Sequence, residues 1–154
     1  LSTGEKAILL EDFRWRKSQI KATSLLANVI YRSAAKDKGV FETILFENGF
    51  ITEGAVSNVF CCTDNKIITP PLSENILPGI TRKVILEVIQ DSSLEYEESK
   101  IPIESFLDAK EIWVTNSTKG IIPIIDLDGK KIGSGKPGER YLKVSEAFKA
   151  RLLD

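Results

Sequence analysis

The sequence predicts a mixed α/β domain in which helices flank a curved, partly antiparallel sheet. Two observations lead to this prediction: strand-like runs come in pairs joined by tight turns, and helical patterns lie between them. The length of 154 residues suits one domain that buries about two-thirds of the surface of its unfolded chain. A hydrophobic content of 42% and a charged content of 28% are ordinary for a globular domain.

Hairpin signals support the antiparallel part of the sheet. In each, a run rich in β-branched and aromatic residues precedes a turn of Asn, Asp or Gly. The predicted strands are 40–46, 50–53, 58–62, 66–69, 111–115, 121–125 and 130–132. The predicted turns are Asn48-Gly49, Asp64-Asn65 and Asp128-Gly129. Residues 1–20 are assigned no regular element, although Ala7–Leu10 is apolar.

Apolar stripes at helical spacing predict three amphipathic helices, and 105–109 predicts a short fourth one. The first follows Thr23 or Ser24, either of which can cap it, and ends at Gly39. The others cover 80–90 and 141–153. The stripes are Leu25, Leu26, Val29, Ile30 and Ala34; Val84, Ile85, Val88 and Ile89; and Leu142, Val144, Ala147, Phe148 and Leu152.

Two features of the composition exclude whole classes of site. The sequence has no histidine, which excludes Ser-His-Asp and Cys-His catalysis and histidine metal ligands within this chain. The only cysteines, Cys61 and Cys62, are adjacent in a predicted strand and should point to opposite faces. We therefore expect no disulfide, no metal site and a reducing, cytoplasmic compartment. A net charge of -1 and short apolar runs give no basis for nucleic-acid or membrane binding.

With histidine absent, lysine is the obvious nucleophile, and Lys21 lies just before a predicted helix. Most lysines are solvated because burying an ammonium is costly, and a nucleophilic lysine must be neutral. A second candidate is Glu53, in ITEGAVSNVF at 51–60, between two strand-like runs and before Gly54. Glu53 is either a solvated turn residue or a carboxylate aimed at a cationic group such as a protonated ring nitrogen.

Two segments could bind a phosphate. In ILPGITR, Pro78 and Gly79 end a loop, and Ile80 and Thr81 open a helix whose free N–H groups and dipole attract anions. The polar turn 116–118 follows a predicted strand and offers hydroxyl, amide and backbone donors. Each segment also fits an ordinary helix start or polar loop.

An amine, an acid for a protonated ring nitrogen and two phosphate turns are the set that pyridoxal 5'-phosphate requires. The sequence resembles the large C-terminal domain of the fold-type IV pyridoxal-phosphate enzymes. This family includes D-amino acid aminotransferase, branched-chain aminotransferase and aminodeoxychorismate lyase. The matching segments are IK at 20–21, ITEGAVSNVF at 51–60, TPPLSENILPGITR at 69–82 and VTNSTKGIIPIIDLDGKKIGSGKPG at 114–138. The combination of TEGxxSNVF, TPP and LPGITR in this order is highly specific.

The resemblance implies a role for individual residues. Lys21 matches the lysine that binds the cofactor as a Schiff base and moves the substrate proton, and Glu53 matches the acid that pairs with the ring nitrogen. Leu77 matches the leucine packed on the ring face. The residues matching the phosphate site are Gly79, Ile80, Thr81, Asn116 and Ser117. Gly54 and Asn58 are interpreted as structural, the glycine permitting close approach and the asparagine fixing the turn.

The resemblance also implies a smaller N-terminal domain ahead of Leu1, a homodimer, and amino acid and 2-oxo acid substrates. Three functions remain open. The first is an aminotransferase for D-amino or branched-chain amino acids, favoured by the FRW and LPGITR segments. The second is a lyase that releases pyruvate from aminodeoxychorismate, favoured by Asn116-Ser117 followed by Lys119-Gly120. The third is a non-catalytic domain used for association only.

Overall fold

A computed structural model of the chain describes residues 3–63 and 66–153. The helices are α1 (Leu26–Asp37), α2 (Ile80–Asp91), α3 (Ile103–Leu107) and α4 (Glu139–Leu153). The strands are β1 (Glu5–Glu11), β2 (Glu42–Glu47), β3 (Phe50–Gly54), β4 (Asn58–Cys62), β5 (Ile67–Thr69), β6 (Tyr96–Glu98), β7 (Glu111–Asn116), β8 (Gly120–Leu127) and β9 (Lys130–Lys131). The predicted mixed α/β class is confirmed.

The described strands form one mixed sheet in the order β3-β2-β1-β8-β7-β4-β5-β6, with β9 paired to β8. The sheet is antiparallel between β2 and β3 and from β8 through β7 and β4 to β5. β1 runs parallel to both β2 and β8, and β5 runs parallel to β6. The sheet is therefore partly antiparallel, as predicted.

The order of the strands requires the sheet to curl. β3 lies at one edge and β4 five positions away, which would be about 24 Å in a flat sheet with strands about 4.8 Å apart. Only residues 55–57 join the two strands, and the four steps from Gly54 to Asn58 span at most about 14 Å. The Gly54 N–H also donates to the Ser57 carbonyl at 2.7 Å. The predicted curvature is confirmed.

The two faces of the sheet carry separate cores, as the adjacent cysteines illustrate. Cys61 belongs to a cluster with Ile51 of β3, whereas Cys62 belongs to a second cluster with Ile85 of α2 and Phe148 of α4. Both thiols are buried and free. Since neighbouring residues in a strand point to opposite faces, this arrangement confirms the predicted alternation.

β1, an interior strand of the sheet, is absent from the sequence prediction. Ala7 and Ile8 are buried, and the strand pairs with β2 and β8, which are distant in sequence. A parallel strand has no hairpin turn beside it, and the short apolar run has no period of two. β6 escapes prediction for the same reason, since it pairs in parallel with β5.

α1 begins later than predicted. Its first residue is Leu26, Leu25 takes the N-cap position, and no side chain caps the helix, so the predicted caps Thr23 and Ser24 are wrong. The predicted end is confirmed, because Gly39 follows the C-cap with a left-handed φ of 65°.

The apolar stripe of α1 faces outward. Leu26 and Val29 are 74% and 60% exposed, whereas the helix buries Tyr31 and Ala35 against the sheet. Contiguous exposed apolar faces of this kind are typical of surfaces that contact another molecule or segment. This face, called the α1 face below, consists of Leu25, Leu26, Val29 and Ile30.

α4 also rotates relative to the predicted stripe. Val144 and Phe148 are buried as predicted, but Leu142 and Leu152 are 39% and 66% exposed. The buried stripe includes Tyr141, Val144 and Phe148. Successive residues of a helix are about 100° apart around its axis, so Leu142 is rotated away from the core.

Smaller differences concern the ends of elements. α3 starts two residues before its prediction because Pro102 takes its N-cap position. The predicted turn at Asp64-Asn65 lies outside the described residues. No helix in the described ranges combines the length and apolar character needed to cross a membrane.

Candidate active site

A pocket of about 480 Å³ opens where β3 turns into β4. Its wall combines the ends of β3 and β7, the start of β4, the first turn of α2 and the segment between β1 and α1. The site residues singled out from the sequence all line it: Lys21, Glu53, Leu77, Gly79, Ile80, Thr81, Asn116 and Ser117. The curl of the sheet thus brings the amine, the acid and both segments predicted to bind phosphate to one cavity.

Glu53 is a buried strand residue, 4% exposed, and not a solvated turn residue. Its Oε1 accepts a hydrogen bond from Arg14 Nη1 at 2.6 Å. Its Oε2 accepts the Leu77 N–H at 2.9 Å and Asn58 Nδ2 at 3.2 Å. Burial raises the pKa of Glu53 to about 7, while the charge and hydrogen bond of Arg14 act in the opposite direction. The cationic group nearest to this acid within the chain is therefore an arginine.

Asn58 links the two sides of the pocket. Its Nδ2 also donates to the Leu77 carbonyl at 2.8 Å, so one side chain holds Glu53 and the loop that precedes α2. A Cβ placed on Gly79 would lie 2.2 Å from Asn58 Oδ1, which explains the glycine at this N-cap. Asn58 therefore positions Glu53 and the loop before α2, which goes beyond the predicted role of fixing its own turn.

Gly54 permits a close approach within the chain. A Cβ at this position would lie 2.1 Å from Ser57 Oγ. The Ser57 hydroxyl in turn donates to the buried Glu42 carboxylate at 2.7 Å. The glycine therefore makes room for the turn between β3 and β4, and the sequence interpretation of Gly54 as structural agrees with this contact.

Lys21 is exposed in the segment between β1 and α1, on the wall of the same pocket as Glu53. That segment is attached to the loop before α2, because the Gln19 N–H donates to the Glu74 carbonyl at 3.2 Å. The lysine is therefore carried on a tethered loop, and the helix it was expected to precede directly starts five residues later.

The N-terminus of α2 faces the pocket without a side-chain cap. Gly79 is the N-cap residue, and Ile80 is 79% exposed. The first N–H groups of a helix have no intrahelical acceptor and lie at the positive end of its dipole. This end of α2 is therefore suited to an anion.

The second polar turn follows β7. Asn116 Oδ1 accepts the N–H groups of Thr118 and Lys119 at 3.1 and 2.8 Å, so its side chain shapes the turn itself. Ser117 is exposed at the pocket. Within the described ranges, the Thr115 hydroxyl is buried with no hydrogen-bond partner, and this residue also lines the pocket.

Sequence reasoning did not identify Arg14 and Asp12. Arg14 lines the pocket, contacts Glu53, and is paired with Asp12 at 2.7 Å. Both lie in the charged, aromatic stretch EDFRWR, where a two-residue spacing in an extended chain places them on one side. The spacing alone does not indicate which distant acid the arginine meets.

Comparisons with known proteins agree with this geometry. A family model described as amino-transferase class IV matches residues 6–127. Over 150 residues the chain is 38% identical to a D-alanine aminotransferase of Bacillus licheniformis, covering 97% of this chain and 53% of the relative. The chain spans about half the length of the curated relatives it matches.

Two solved structures show the same fold. A branched-chain aminotransferase from Thermoproteus uzoniensis, solved with norvaline, has a TM-score of 0.88 at 27% identity and covers 98% of this chain and 52% of its own. The Escherichia coli branched-chain amino acid aminotransferase has a TM-score of 0.85 at 27% identity, over 96% of this chain and 52% of its own. Because the family model spans most of the chain and the fold matches throughout, this chain belongs to the class IV aminotransferases.

Proposed function

We propose that this chain forms the cofactor-binding part of a pyridoxal 5'-phosphate-dependent aminotransferase. The enzyme would move an amino group between an amino acid and a 2-oxo acid. The observation that supports this most is the convergence of the Lys21 amine, the buried Glu53 carboxylate and the uncapped N-terminus of α2 on one pocket. Membership of the class IV family supports the same activity.

The residues present fit this cofactor. The N–H groups of Ile80 and Thr81 suit a phosphate, as does the Ser117 turn across the pocket. A buried hydroxyl without a partner is costly, and a phosphate oxygen or an ordered water would complete the hydrogen bond of Thr115. The volume of about 480 Å³ lies within the range of small-molecule sites.

Each residue would contribute a separate part of the chemistry. When bound, the cofactor supplies an aldehyde that links to amines and a protonated ring that accepts the electron pair left at a deprotonated α-carbon. Lys21 would bind the cofactor and carry the proton to and from the α-carbon. Glu53 would hold the proton on the ring nitrogen through a charge-assisted hydrogen bond. Leu77 would pack on the ring face and orient it.

D-amino acids are the proposed substrates, with D-alanine first. The D-alanine aminotransferase relative is 38% identical, whereas the branched-chain aminotransferase structures with the same fold are 27% identical. Branched-chain amino acids are therefore the second class to test. The polar turn after β7 is the feature that favours a lyase acting on aminodeoxychorismate, and that substrate belongs in the same assay.

We also propose that a second, smaller domain and a second copy of the chain complete the pocket. The chain spans about half the length of its relatives, which leaves room for another domain. The apolar α1 face reaches the pocket rim, where Leu25 and Val56 are 51% and 50% exposed. A homodimer that covers this face would close the outer wall.

The test uses the full-length protein with pyridoxal 5'-phosphate, D-alanine and 2-oxoglutarate. We expect pyruvate and glutamate in equal amounts, and we expect Glu53→Gln to retain the cofactor while its kcat falls by orders of magnitude, each tenfold corresponding to about 1.36 kcal/mol. Wild-type turnover by Glu53→Gln would contradict the role of this acid. Pyruvate released from aminodeoxychorismate without an amino acceptor would identify a lyase instead.

A further inference from the structure

We propose that Arg14, held by Asp12, is a positioning residue that favours the ionised form of Glu53 and aims its carboxylate into the pocket. The inference rests on the proposed function, in which Glu53 is the acid that pairs with the ring nitrogen. It adds a residue from the segment between β1 and α1 that no sequence motif indicates.

Arg14 lies between two buried carboxylates. Its Nη1 donates to Glu53 at 2.6 Å, and its Nε and Nη2 donate to the two oxygens of Asp12 at 2.9 and 2.7 Å. Its Nη2 also donates to the Asn75 carbonyl at 3.1 Å. The side chains of the two acids and the arginine are only 5% to 6% exposed. These hydrogen bonds to Asp12, Glu53 and the Asn75 carbonyl fix the orientation of the guanidinium group.

The cluster of Asp12, Arg14 and Glu53 has a net negative charge that one bound cation would neutralise. Two carboxylates and one guanidinium carry a net charge of -1, and burying an uncompensated charge is strongly unfavourable. The other groups that contact Glu53, Asn58 of β4 and the Leu77 N–H, are neutral, and Lys21 lies elsewhere on the pocket wall. A protonated ring nitrogen at Glu53 would bring the cluster to neutrality.

The hydrogen bonds of Glu53 lead to the same position. An ionised carboxylate has about four acceptor sites. Arg14 takes one on Oε1, and Leu77 and Asn58 take two on Oε2, so one site remains on Oε1 for a donor in the pocket. The arginine thus sets which side of the carboxylate is presented to a ligand.

Arg14 also shifts the balance between the protonated and ionised forms of Glu53 toward the ionised form. Burial raises the pKa of Glu53 to about 7, and the charge and hydrogen bond of Arg14 are the main effects that lower it again. Without the arginine, the desolvated carboxyl would keep its proton well above neutral pH. A neutral carboxyl would no longer favour the protonated form of a bound ring.

An arginine is required because of its planar fork. The Asp12 carboxylate binds Nε and Nη2, which leaves Nη1 pointing at Glu53. A lysine has one compact ammonium and cannot hold both acids in this geometry. Arg14→Lys therefore keeps the positive charge but loses the alignment. This variant distinguishes the effect of Arg14 on the ionisation of Glu53 from its effect on the orientation of the carboxylate.

The experiment compares Arg14→Gln, Arg14→Lys and the exposed control Arg16→Gln in the full-length protein. Infrared difference spectra between pH 5 and pH 9, without cofactor, follow the C=O band of protonated Glu53. The band is assigned by its loss in the Arg14→Gln, Glu53→Gln double variant. We expect its titration midpoint to rise by at least one pH unit in Arg14→Gln, by less in Arg14→Lys, and not in Arg16→Gln.

The same proteins are then titrated with pyridoxal 5'-phosphate. We expect Arg14→Gln and Arg14→Lys to raise the Kd at least tenfold and to move the acid limb of the kcat profile to higher pH. A wild-type midpoint in Arg14→Gln, or in Arg14→Lys where only that variant folds, would overturn the proposal. If no protein binds pyridoxal 5'-phosphate, the proposed function fails, whereas the infrared midpoints still decide whether Arg14 controls the charge of Glu53.

Discussion

The hydroxyl of Ser57 donates a hydrogen bond of 2.7 Å to the carboxylate of Glu42, beneath the turn that joins β3 to β4. Glu42 is fully buried, and it also accepts the Thr43 N–H at 2.9 Å. Burial raises the pKa of Glu42, while these hydrogen bonds lower it. A buried acid thus holds the turn that directly follows Glu53.

Glu42→Gln should destabilise the protein by about 1–3 kcal/mol, because an amide NH₂ would face the donors of this turn in place of an acceptor oxygen. Urea unfolding measures the change in the free energy of unfolding. The exposed Glu11→Gln provides the control and should stay within about 0.5 kcal/mol of the wild type. Equal midpoints for Glu42→Gln and Glu11→Gln would contradict the role of Glu42.

Gly79→Ala should weaken cofactor binding by displacing Asn58, since the new Cβ would lie 2.2 Å from its Oδ1. The backbone of Gly79, with φ of -64°, is open to alanine, so the effect comes from this contact. A double-mutant cycle with Asn58→Ala measures the coupling through the Kd of pyridoxal 5'-phosphate. We expect the double variant to bind no more weakly than Asn58→Ala alone; additive losses would show that the two residues act separately.

Lys21→Ala should abolish the covalent attachment of pyridoxal 5'-phosphate. Borohydride reduction of the loaded full-length protein, followed by peptide mass spectrometry, locates any modified lysine. Lys17→Ala is the control, because Lys17 forms an exposed ion pair with Glu74 in the same segment and should leave attachment unchanged. A reduced adduct that persists in Lys21→Ala would place the attachment on a different lysine.

The raised pKa of Glu53 predicts how stability depends on pH. Between the unfolded value of 4.5 and the folded value of about 7, the folded state holds a proton that the unfolded chain has released. The contribution of Glu53 is therefore complete below pH 4.5 and is lost as pH rises through 7, with a size on the order of 3 kcal/mol. Urea unfolding of cofactor-free protein at pH 5 and pH 8 should show a smaller difference for Glu53→Gln than for wild type. Equal differences would argue against a raised pKa.

A negative charge introduced on the α1 face should disrupt the proposed homodimer. Leu26→Glu and Val29→Glu should convert a dimer to monomers in sedimentation experiments, because burying either carboxylate in an apolar contact is costly. Leu153→Glu, at the far end of α4, replaces a side chain that is 89% exposed and serves as the control. An unchanged dimer in both α1 variants would place the contact elsewhere.

Local patterns explain which parts of the fold could be predicted. The turn at Asn48-Gly49 and the stripe of α2 are marked by neighbouring residues, and both occur in the structure. β1 is defined by parallel partners far along the chain, so no local signal marks it. The stripe of α1 was detected correctly as apolar, but periodicity does not show whether an apolar face meets the domain's own core or another surface.

In the candidate site, too, features marked by local sequence could be predicted and those defined by distant contacts could not. Glu53 and the start of α2 belong to contiguous motifs, and all the residues assigned to them line one pocket. Arg14 acts through a contact with an acid 39 positions away, and neither residue type nor spacing predicts such a pair. Its position depends on the curl of the sheet, which only the complete strand order defines.

The curl of the sheet also affects the order of events during folding. The β4–β7 pair sets Thr115 opposite Asn58, close to Glu53 in sequence. The segment that carries Arg14 and Lys21, however, follows β1, whose pairing with β8 joins the first and last thirds of the chain through contacts of high sequence separation. Such contacts form slowly because a long loop must close before they repay its entropy. During refolding, the capacity to take up the vitamin-derived group should therefore return with the slowest phase, after the helical signal has recovered.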